Sequence, residues 1–201
     1  MKSEDLNELR REAEENRQPS HDITSLLYHR WSPRALGQDM SEDDLKSLFE
    51  AARWAPSSYN NQSWRFIYAT HEDEEYKDFA DILNDFNAGW AEPGYALIVV
   101  ASRKTFDHNG EPSRTHSFDT GAAWQNFALE ATKRGLAAHG MQGLDYEKAR
   151  EELGIPEEFE VEMMIAVGSK EDEESLDEDI RVTPNSRKEL SEIVSKGNFS
   201  F

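Results

Sequence analysis

Apolar residues recur at helical spacing in several stretches of the chain, and the clearest of these begins at Ser41. Leu45, Leu48 and Ala52 follow on one helical face, and Asp44 occupies the capping-box position three residues after Ser41. This combination predicts an amphipathic helix that starts at Ser41. The same spacing predicts further helices from Ser20 or Asp22 to Leu27, over 73–86, over 117–134 with Gly135 as the terminating residue, over 145–153 and over 188–194.

Shorter apolar segments between these helices predict β strands. Residues 95–101 form a continuous apolar run, which is typical of a strand buried on both faces. Further strands are predicted over 64–69, 136–141 and 161–167. Because strands and helices alternate unevenly and no internal repeat is present, we expect an α+β fold with a central mixed sheet.

The remaining segments are polar and predict loops or extensions. Residues 1–19 are rich in charge, which indicates a solvated or partly disordered helical extension of a single domain over 20–201. Residues 103–116 predict a mobile loop, and 171–179, with seven acidic residues in nine, predict a solvated one. The tail 195–201 contains two phenylalanines, so we expect it to dock on a partner subunit.

The chain is strongly acidic. Its 41 acidic and 22 basic residues give a formal net charge of −19, which argues against binding of nucleic acid or of an anionic membrane. This density of carboxylates also suggests a halophilic source, because molar salt screens the repulsion between like charges. No cysteine is present, the N-terminus lacks a signal-peptide pattern, and no apolar run is long enough to span a bilayer. We therefore expect a soluble cytoplasmic protein.

Several kinds of active site have no signature in this sequence. The six histidines show no metal-ligand spacing, and neither a Rossmann glycine pattern nor a P-loop is present. No Gly-x-Ser-x-Gly motif indicates an acyl-transfer serine. No metal site is therefore predicted, and the demanding chemistry of an enzyme with this sequence would belong to a bound organic cofactor.

Two short segments carry the strongest candidate chemistry. In the first, Arg30, Ser32 and Arg34 stand at alternating positions, so in extended backbone they would point to one side and could bind one anion. The second, residues 56–63, is a run of amide and hydroxyl side chains that precedes the strand opened by Trp64. It offers many hydrogen-bonding groups but no nucleophile with an adjacent base. Together the segments predict the binding surface of a phosphorylated heteroaromatic cofactor.

The second segment belongs to a longer stretch, residues 50–66, that closely resembles the hallmark of the FMN-dependent nitroreductase family. The Arg30-x-Ser32-x-Arg34 pattern is similar to the family's N-terminal flavin-binding motif and stands at the expected distance. The resemblance extends over residues 22–195 because further matches follow in the family's order. These matches are Asn87–Trp90, Asp119–Asn126, Gly135–Leu136, Gly143–Asp145, Leu153–Pro156, Ala166–Gly168 and Arg187.

The resemblance implies an α+β sandwich in which helices flank a mainly antiparallel sheet. It also implies an intertwined homodimer with two FMN sites at the subunit interface. In such a site Arg30, Ser32 and Arg187 would hold the phosphate and ribityl chain, with Trp31 in the same binding segment. Arg34 would approach the pyrimidine end of the flavin and tune its redox potential.

Other parts of the site are also implied by the resemblance. Asn87 would meet the polar edge of the flavin, and the backbone of Gln142 and Gly143 would lie beside N5. The loop that reaches the flavin from the other subunit would contribute Pro56, Ser57, Ser58, Asn60 and Gln62. The chain departs from the family pattern at Ser63, where a proline is usual, and at Trp90, where some relatives have a second basic residue.

The activity that the resemblance implies is hydride transfer in a ping-pong cycle. NADH or NADPH would reduce FMN at N5 and leave, and a nitroaromatic, quinone or other electron-poor small molecule would then be reduced. No side-chain acid or base is obligatory, and lid residues, either in 103–116 or near Phe86 and Trp90, are expected to select the acceptor. Two alternatives stay open. One is a reductive dehalogenase or flavin-fragmenting enzyme on the same scaffold, and the other is a flavin-binding protein without turnover.

Overall fold

The computed structural model describes the backbone of residues 3–201 and the side chains of residues 9–201, and a five-stranded sheet forms its centre. The strands are β1 (Leu36–Gly37), β2 (Trp64–Thr70), β3 (Ala96–Arg103), β4 (Leu136–Met141) and β5 (Phe159–Lys170). β5 lies between β3 and β4, β2 pairs with the other side of β3, and β1 pairs with the end of β5.

Every strand pairing within the described residues is antiparallel. Ala96 pairs with Val167 across β3 and β5, and Leu136 pairs with Ser169 across β4 and β5. The expected α+β class with a mainly antiparallel sheet is therefore confirmed. The mixed character expected of the sheet is wrong for these strands, because antiparallel neighbours account for all of the pairings.

Helices pack on both faces of this sheet. They are α1 (Ser3–Asn16), α2 (Ser25–His29), α3 (Glu42–Arg53), α4 (Tyr76–Ile82), α5 (Asp85–Ala91), α6 (His116–Lys133) and α7 (Tyr146–Glu152). None of these helices of residues 3–201 is long and apolar enough to cross a membrane.

The two-sided packing explains the continuous apolar run of β3. Neighbouring strand residues point to opposite faces, so Leu97 packs with Trp90 on the α4 and α5 side, whereas Ile98 packs with Leu48 and Phe127 on the α3 and α6 side. Each such side chain, once fully buried, stabilises the fold by about 1.5–3 kcal/mol.

The start of α3 confirms the predicted capping box. Ser41 Oγ accepts from the Asp44 N–H at 3.1 Å, and the Asp44 carboxylate accepts from the Ser41 N–H at 3.4 Å. The single helix predicted over 73–86 is wrong, because it is divided into α4 and α5. Asn84 causes the break: its side chain accepts from the Asn87 N–H at 2.9 Å and so caps the start of α5.

Two other helices differ from their predicted extent. α2 starts at Ser25 after Thr24, so neither Ser20 nor Asp22 caps it. Residues 188–194 contain only the 3₁₀ turn Leu190–Glu192 and not a full helix. The apolar side chains of that segment are exposed, and a short helix with no buried face gains little from forming.

The N-terminal extension packs on the domain through α1. Leu9 and Ala13 are buried in a small cluster with Trp31, and Glu14 forms an ion pair with His29 at 2.9 Å. The extension is helical as expected, but the expectation that it is solvated is wrong for Leu9, Ala13 and Arg17, which are buried. Part of that expectation concerned residues 1 and 2 and the Leu6 side chain, which lie outside the described residues.

Candidate functional site

The segment between α2 and β1 places two of the predicted residues side by side. Arg30 ends α2 in extended backbone, and its Nη1 donates to Ser32 Oγ at 3.2 Å. Trp31, between them, is buried against α1, with Lys170 Nζ 5.8 Å from its ring centre. The Trp31 side chain belongs to the core, so the structure does not support the predicted contact between it and a cofactor.

Arg30 lies in a cluster of three arginines with Arg17 and Arg187. Burial and, after it, the charge of Arg187 lower the pKa of Arg30. Burial, Arg187 and Arg30 lower the pKa of Arg17 to about 10. Within residues 9–201, none of the three forms an ion pair with a carboxylate. Neighbouring guanidinium groups without a carboxylate are chemically able to bind an anion, since their planar forks match phosphate oxygens.

Arg34 does not join this cluster. Its Nη1 donates to the Ile180 carbonyl at 2.9 Å, and its guanidinium lies 4.9 Å from the ring centre of Phe86 and 5.6 Å from that of Trp90. The expectation that Arg34 and Arg30 would face one anion is therefore wrong. Arg34 Nε is buried and has no hydrogen-bond partner in the part of the chain that the structure describes.

Glu173 holds the backbone around Arg34 in place. Its Oε1 accepts from the N–H groups of Arg34 at 2.8 Å and Ala35 at 3.1 Å, and its Oε2 accepts from the Val182 N–H at 3.1 Å. Glu173 was expected to lie in a solvated loop over 171–179, and that is wrong for this residue. One glutamate within an acidic run carries no distinguishing signal in the sequence, so this role could not have been found there.

His139 of β4 contacts the same segment from the sheet. Its Nδ1–H donates to the Pro33 carbonyl at 2.9 Å, and its ring centre lies 4.5 Å from that of Trp90. Burial and the charge of Arg34 lower the pKa of His139, although the hydrogen bond to Pro33 opposes them. The imidazole is therefore neutral at pH 7. Sequence reasoning missed this residue, because a single histidine in an apolar strand has no motif around it.

Asn87 and Gly143 meet at the start of α5. The Gly143 carbonyl accepts from the Asn84 N–H and from Asn87 Nδ2, both at 3.1 Å. A Cβ at position 143 would lie 2.6 Å from Asn84 Nδ2 and closer still to Asn87 Nδ2, so any larger residue would require these side chains to move. The neighbouring Gln142 carbonyl accepts from the Tyr146 hydroxyl at 3.2 Å. The structure thus brings Asn87 next to Gln142 and Gly143, which lie 55 and 56 positions later in the sequence.

The loop over 56–63 is held in strained backbone. Tyr59, Asn60 and Gln62 have φ values of 53°, 53° and 49°, in the left-handed region that disfavours residues other than glycine. Each such residue costs roughly 1–3 kcal/mol, and strain of this kind is common in ligand-binding segments. Ser57 Oγ stabilises the turn by accepting from the Gln62 N–H at 3.0 Å.

This loop packs against α6 and the segment over 103–116. The Ser58 N–H donates to Asp119 Oδ2 at 2.9 Å, and Asn61 Oδ1 accepts from the Asp107 N–H at 2.9 Å. The loop borders a groove of about 360 Å³. The groove is lined by Tyr59, Asn60, Asn61, Gln62, Arg65, Asp107 and His108.

The predicted residues therefore fall in two places within one chain. In the first, α5 connects Arg34, which lies against Phe86, with Asn87, which donates to the Gly143 carbonyl, and Arg30 lies four residues before Arg34. In residues 9–201, no hydrogen bond, ion pair or ring contact joins the loop over 56–62 to Arg30, Arg34 or Gly143. Pro56 is exposed at the start of that loop.

A larger surface groove of about 670 Å³ contains none of the predicted residues. It lies between α3 and α6 and is open to solvent. Its lining is mostly charged: Asp43, Lys46, Ser47, Glu50, Ala51, Trp54, Glu130 and Arg134. The size of a groove therefore does not point to the predicted residues.

Comparison with known proteins gives consistent results. A sequence profile of the Nitroreductase family matches residues 27–95 and 82–169. A protein of Archaeoglobus fulgidus, provisionally named NADH dehydrogenase/NAD(P)H nitroreductase, is 28% identical over 166 residues, which cover 80% of this chain and 92% of that protein.

Two solved structures are similar along most of their length. A crystal structure described as an oxidoreductase containing FMN has a TM-score of 0.88 and 39% identity, and the match covers 92% of this chain and 96% of the other. A provisionally named nitroreductase from Desulfovibrio desulfuricans, solved in complex with FMN, has a TM-score of 0.69 and 22% identity, with 90% and 100% covered. At that identity the second match concerns the fold alone.

Proposed function

The chain belongs to the nitroreductase family, and from this premise we propose that it is an FMN-dependent oxidoreductase. It would use NAD(P)H to reduce nitroaromatic, quinone or similar electron-poor acceptors. The observation that carries the proposal is the cluster of Arg17, Arg30 and Arg187, which has no described carboxylate partner although the chain has a net charge of −19. A phosphate group is an anion that such a set of guanidinium groups suits well. The 39% identical structure described as containing FMN supports the same ligand.

The donor set of the site fits FMN. Arg30 and Arg187 offer charged N–H groups to a phosphate, and Ser32 adds a hydroxyl beside Arg30. Arg34 has a buried Nε–H without a described protein partner, which suits an acceptor on the flavin ring system.

Bound FMN would supply hydride transfer between NAD(P)H and the acceptor in a ping-pong cycle. The residues of the chain bind and orient; none is assigned as an acid or a base. Arg34 presents a fixed positive charge, held by the Ile180 carbonyl and by the rings of Phe86 and Trp90. His139, neutral because its pKa is lowered, fixes the Pro33 carbonyl without adding a second charge.

We also propose a homodimer in which the loop over 56–62 of one subunit completes the site of the other. The loop is strained and makes no described contact with Arg30 or Arg34 in its own chain. The C-terminal segment supports the dimer as well, because it exposes Leu190, Ile193, Val194, Phe199 and Phe201. Removal of apolar surface from water is favourable, so packing of a partner subunit on these side chains would stabilise the dimer.

The acidic surface supports a further part of the proposal, adaptation to high salt. With 41 acidic residues on 201 positions, repulsion between like charges is strong in dilute buffer. The free energy of unfolding would then rise with salt concentration as the charges are screened. A chain that is as stable in dilute buffer as in molar salt would contradict this part alone.

The experiment that tests the function is reconstitution with FMN followed by steady-state assays of NADH and NADPH oxidation. Nitrofurazone, quinones and halophenols are supplied as separate acceptors. Turnover with nitrofurazone or quinones supports the proposal, whereas turnover with halophenols alone favours a reductive dehalogenase. A yellow protein that turns over no acceptor indicates flavin binding without catalysis. A protein that gains no thermal stability from added FMN contradicts both flavin functions.

A further inference from the structure

Arg17 directly follows α1 and uses most of its guanidinium to bind the backbone. Its Nε donates to the Asn185 carbonyl at 2.8 Å, and its Nη1 donates to the carbonyls of Tyr28 at 2.9 Å and Arg30 at 2.7 Å. Its Nη2 donates to Asn185 Oδ1 at 3.2 Å. The residue is only 8% exposed, so these contacts give the guanidinium one fixed place in the fold.

The acceptors of Arg17 come from two distant parts of the sequence. Tyr28 and Arg30 lie at the end of α2, whereas Asn185 stands two residues before Arg187. Arg17 therefore connects the segment that carries Arg30 with the segment that carries Arg187. Within the described residues, no other hydrogen bond joins residues 28–32 to residues 183–187.

The orientation of Arg187 depends on the segment that Arg17 holds. Arg187 is exposed, and its Nη1 donates to the Ser186 carbonyl at 3.0 Å and to the Asn185 carbonyl at 3.3 Å. The Asn185 carbonyl thus accepts from both Arg17 and Arg187. If Arg17 were lost, the exposed segment around Asn185 would lose its described attachment to α2.

The packing of α1 keeps Arg17 in this position. Leu9 and Ala13, two turns and one turn before it, are buried in a cluster with Trp31, and Glu14 Oε1 lies 2.9 Å from His29 Nε2. All of these partners belong to the end of α2 or to the residue after Arg30. The N-terminal helix therefore brings Arg17 to the binding segment as a fixed element.

Stability alone does not explain a third arginine here. Arg17 is buried, and the charges of Arg187 and Arg30 both oppose its own, which is why its pKa falls to about 10. Four hydrogen bonds satisfy the Arg17 guanidinium, but within the described residues no carboxylate offsets its charge or those of Arg30 and Arg187, so an anion bound close by would stabilise all three. The arrangement suits a site built for a negatively charged ligand.

We propose that Arg17 is a positioning residue for the flavin phosphate, because it holds the segments of Arg30 and Arg187 so that both arginines face one phosphate group. The inference rests on the proposed function. Arg17 acts through the backbone carbonyls and does not itself contact the phosphate. The N-terminal helix is accordingly part of the cofactor site, although it precedes the region that matches the family profile at residue 27.

The test compares FMN with riboflavin, which lacks the phosphate, on the full-length chain after removal of bound flavin. Dissociation constants are measured by titration of flavin fluorescence for the unsubstituted chain and for Arg17→Met, which keeps aliphatic length but removes the donors. We expect Arg17→Met to weaken FMN binding by about 10-fold or more and to change riboflavin binding by less than about 2-fold. An unchanged FMN affinity, or an equal loss for both ligands, would overturn the inference.

Two further variants test whether the effect comes from the planar guanidinium of Arg17 or only from its positive charge, and whether any arginine substitution weakens flavin binding. Arg17→Lys keeps the charge but lacks the planar fork, so we expect an FMN affinity between those of the unsubstituted chain and Arg17→Met. A lysine variant equal to the unsubstituted chain would contradict the role of the carbonyl contacts. Arg53→Met, at an exposed site paired with Glu50, is the matched control and should bind both ligands normally. If the unsubstituted chain binds no FMN, the proposed function itself fails, which this design distinguishes from a failure confined to Arg17.

Discussion

Glu173 accepts the backbone N–H of Arg34 at 2.8 Å across 139 positions of sequence. The same carboxylate binds the N–H groups of Ala35 and Val182, so it ties the segment of Arg34 to the strand end and to the C-terminal region. This contact explains why Arg34 and Arg30, only four residues apart, have different neighbours. Arg34 contacts Phe86 and Trp90, while Arg30 lies near Arg187.

Glu173→Ala should lower the free energy of unfolding by about 2–3 kcal/mol, because three backbone N–H groups lose a charged acceptor. Urea denaturation measures the change. Glu174→Ala is the matched control, since that side chain is exposed and makes no described contact, and it should change stability by less than about 0.5 kcal/mol. Equal effects of the two substitutions would contradict the structural role of Glu173.

Gly143→Ala should disturb the cofactor site. The added Cβ would overlap the amide groups of Asn84 and Asn87, so we expect a loss of about 1–3 kcal/mol in stability together with weaker FMN binding. Thermal unfolding and flavin titration measure the two effects. Gly89→Ala provides the control, because nothing lies within 4 Å of a Cβ there and alanine favours the helix by about 0.5–1 kcal/mol. A tolerated Gly143→Ala would show that the close approach is not required.

Arg34→Met should lower the midpoint potential of bound FMN. The guanidinium is a fixed positive charge in the proposed site, and its removal would disfavour the added negative charge of the reduced flavin. We expect a decrease of about 30 mV or more, which corresponds to about 1.4 kcal/mol for a two-electron couple. Spectroelectrochemistry measures the potential, and Arg34→Lys should retain part of the effect. A potential that is the same in all three proteins would rule out the tuning role.

His139 should make stability depend on pH near neutrality. Its folded-state pKa lies below the ordinary value of 6.5, so the unfolded chain takes up the proton first as the pH falls. The stability that neutral His139 provides is therefore complete above about pH 6.5 and decreases below it. Arg34 and Glu173 are the charged groups that act on this ring, in opposite directions.

Urea unfolding of the unsubstituted chain and of His139→Asn measures this dependence. The stability advantage of the unsubstituted chain should shrink between about pH 7.5 and about pH 5.5. His21→Asn, which changes an exposed histidine, should show no such convergence. An advantage that stays constant over this range would contradict the lowered pKa.

Removal of residues 195–201 should weaken the proposed dimer. Phe199 and Phe201 are 88% and 60% exposed in the single chain, which is unfavourable unless another surface covers them. Sedimentation equilibrium at several protein concentrations measures the association. Substitution of both phenylalanines by serine should have the same direction of effect as the deletion. A dimer of unchanged affinity in both variants would refute a role for the tail.

Much of the fold follows from local pattern. The capping box at Ser41 and the apolar run of β3 were sufficient to predict an amphipathic helix and a strand buried on both faces. The break at Asn84 was not predicted, because a capping side chain overrides an apolar period that continues through it. Residues 188–194 have apolar residues at helical spacing, but these bury no apolar face, so the segment forms only one 3₁₀ turn.

Spacing and an acidic background made Arg30 and Ser32 stand out as candidates in the amino-acid sequence, whereas Gly143 became a candidate through the resemblance to the nitroreductase family. The sequence did not reveal which arginines would lie together. Arg17 lies in the cluster because it contacts Asn185, and Arg34 lies outside it because its backbone is held by Glu173. Each partner is more than 130 positions away in the sequence. Hydrogen bonds to backbone carbonyls and N–H groups require no particular residue at the partner position, so they leave no pattern in the sequence. Local sequence patterns therefore identified candidate residues of the site. The packing of distant segments determined how these residues are arranged.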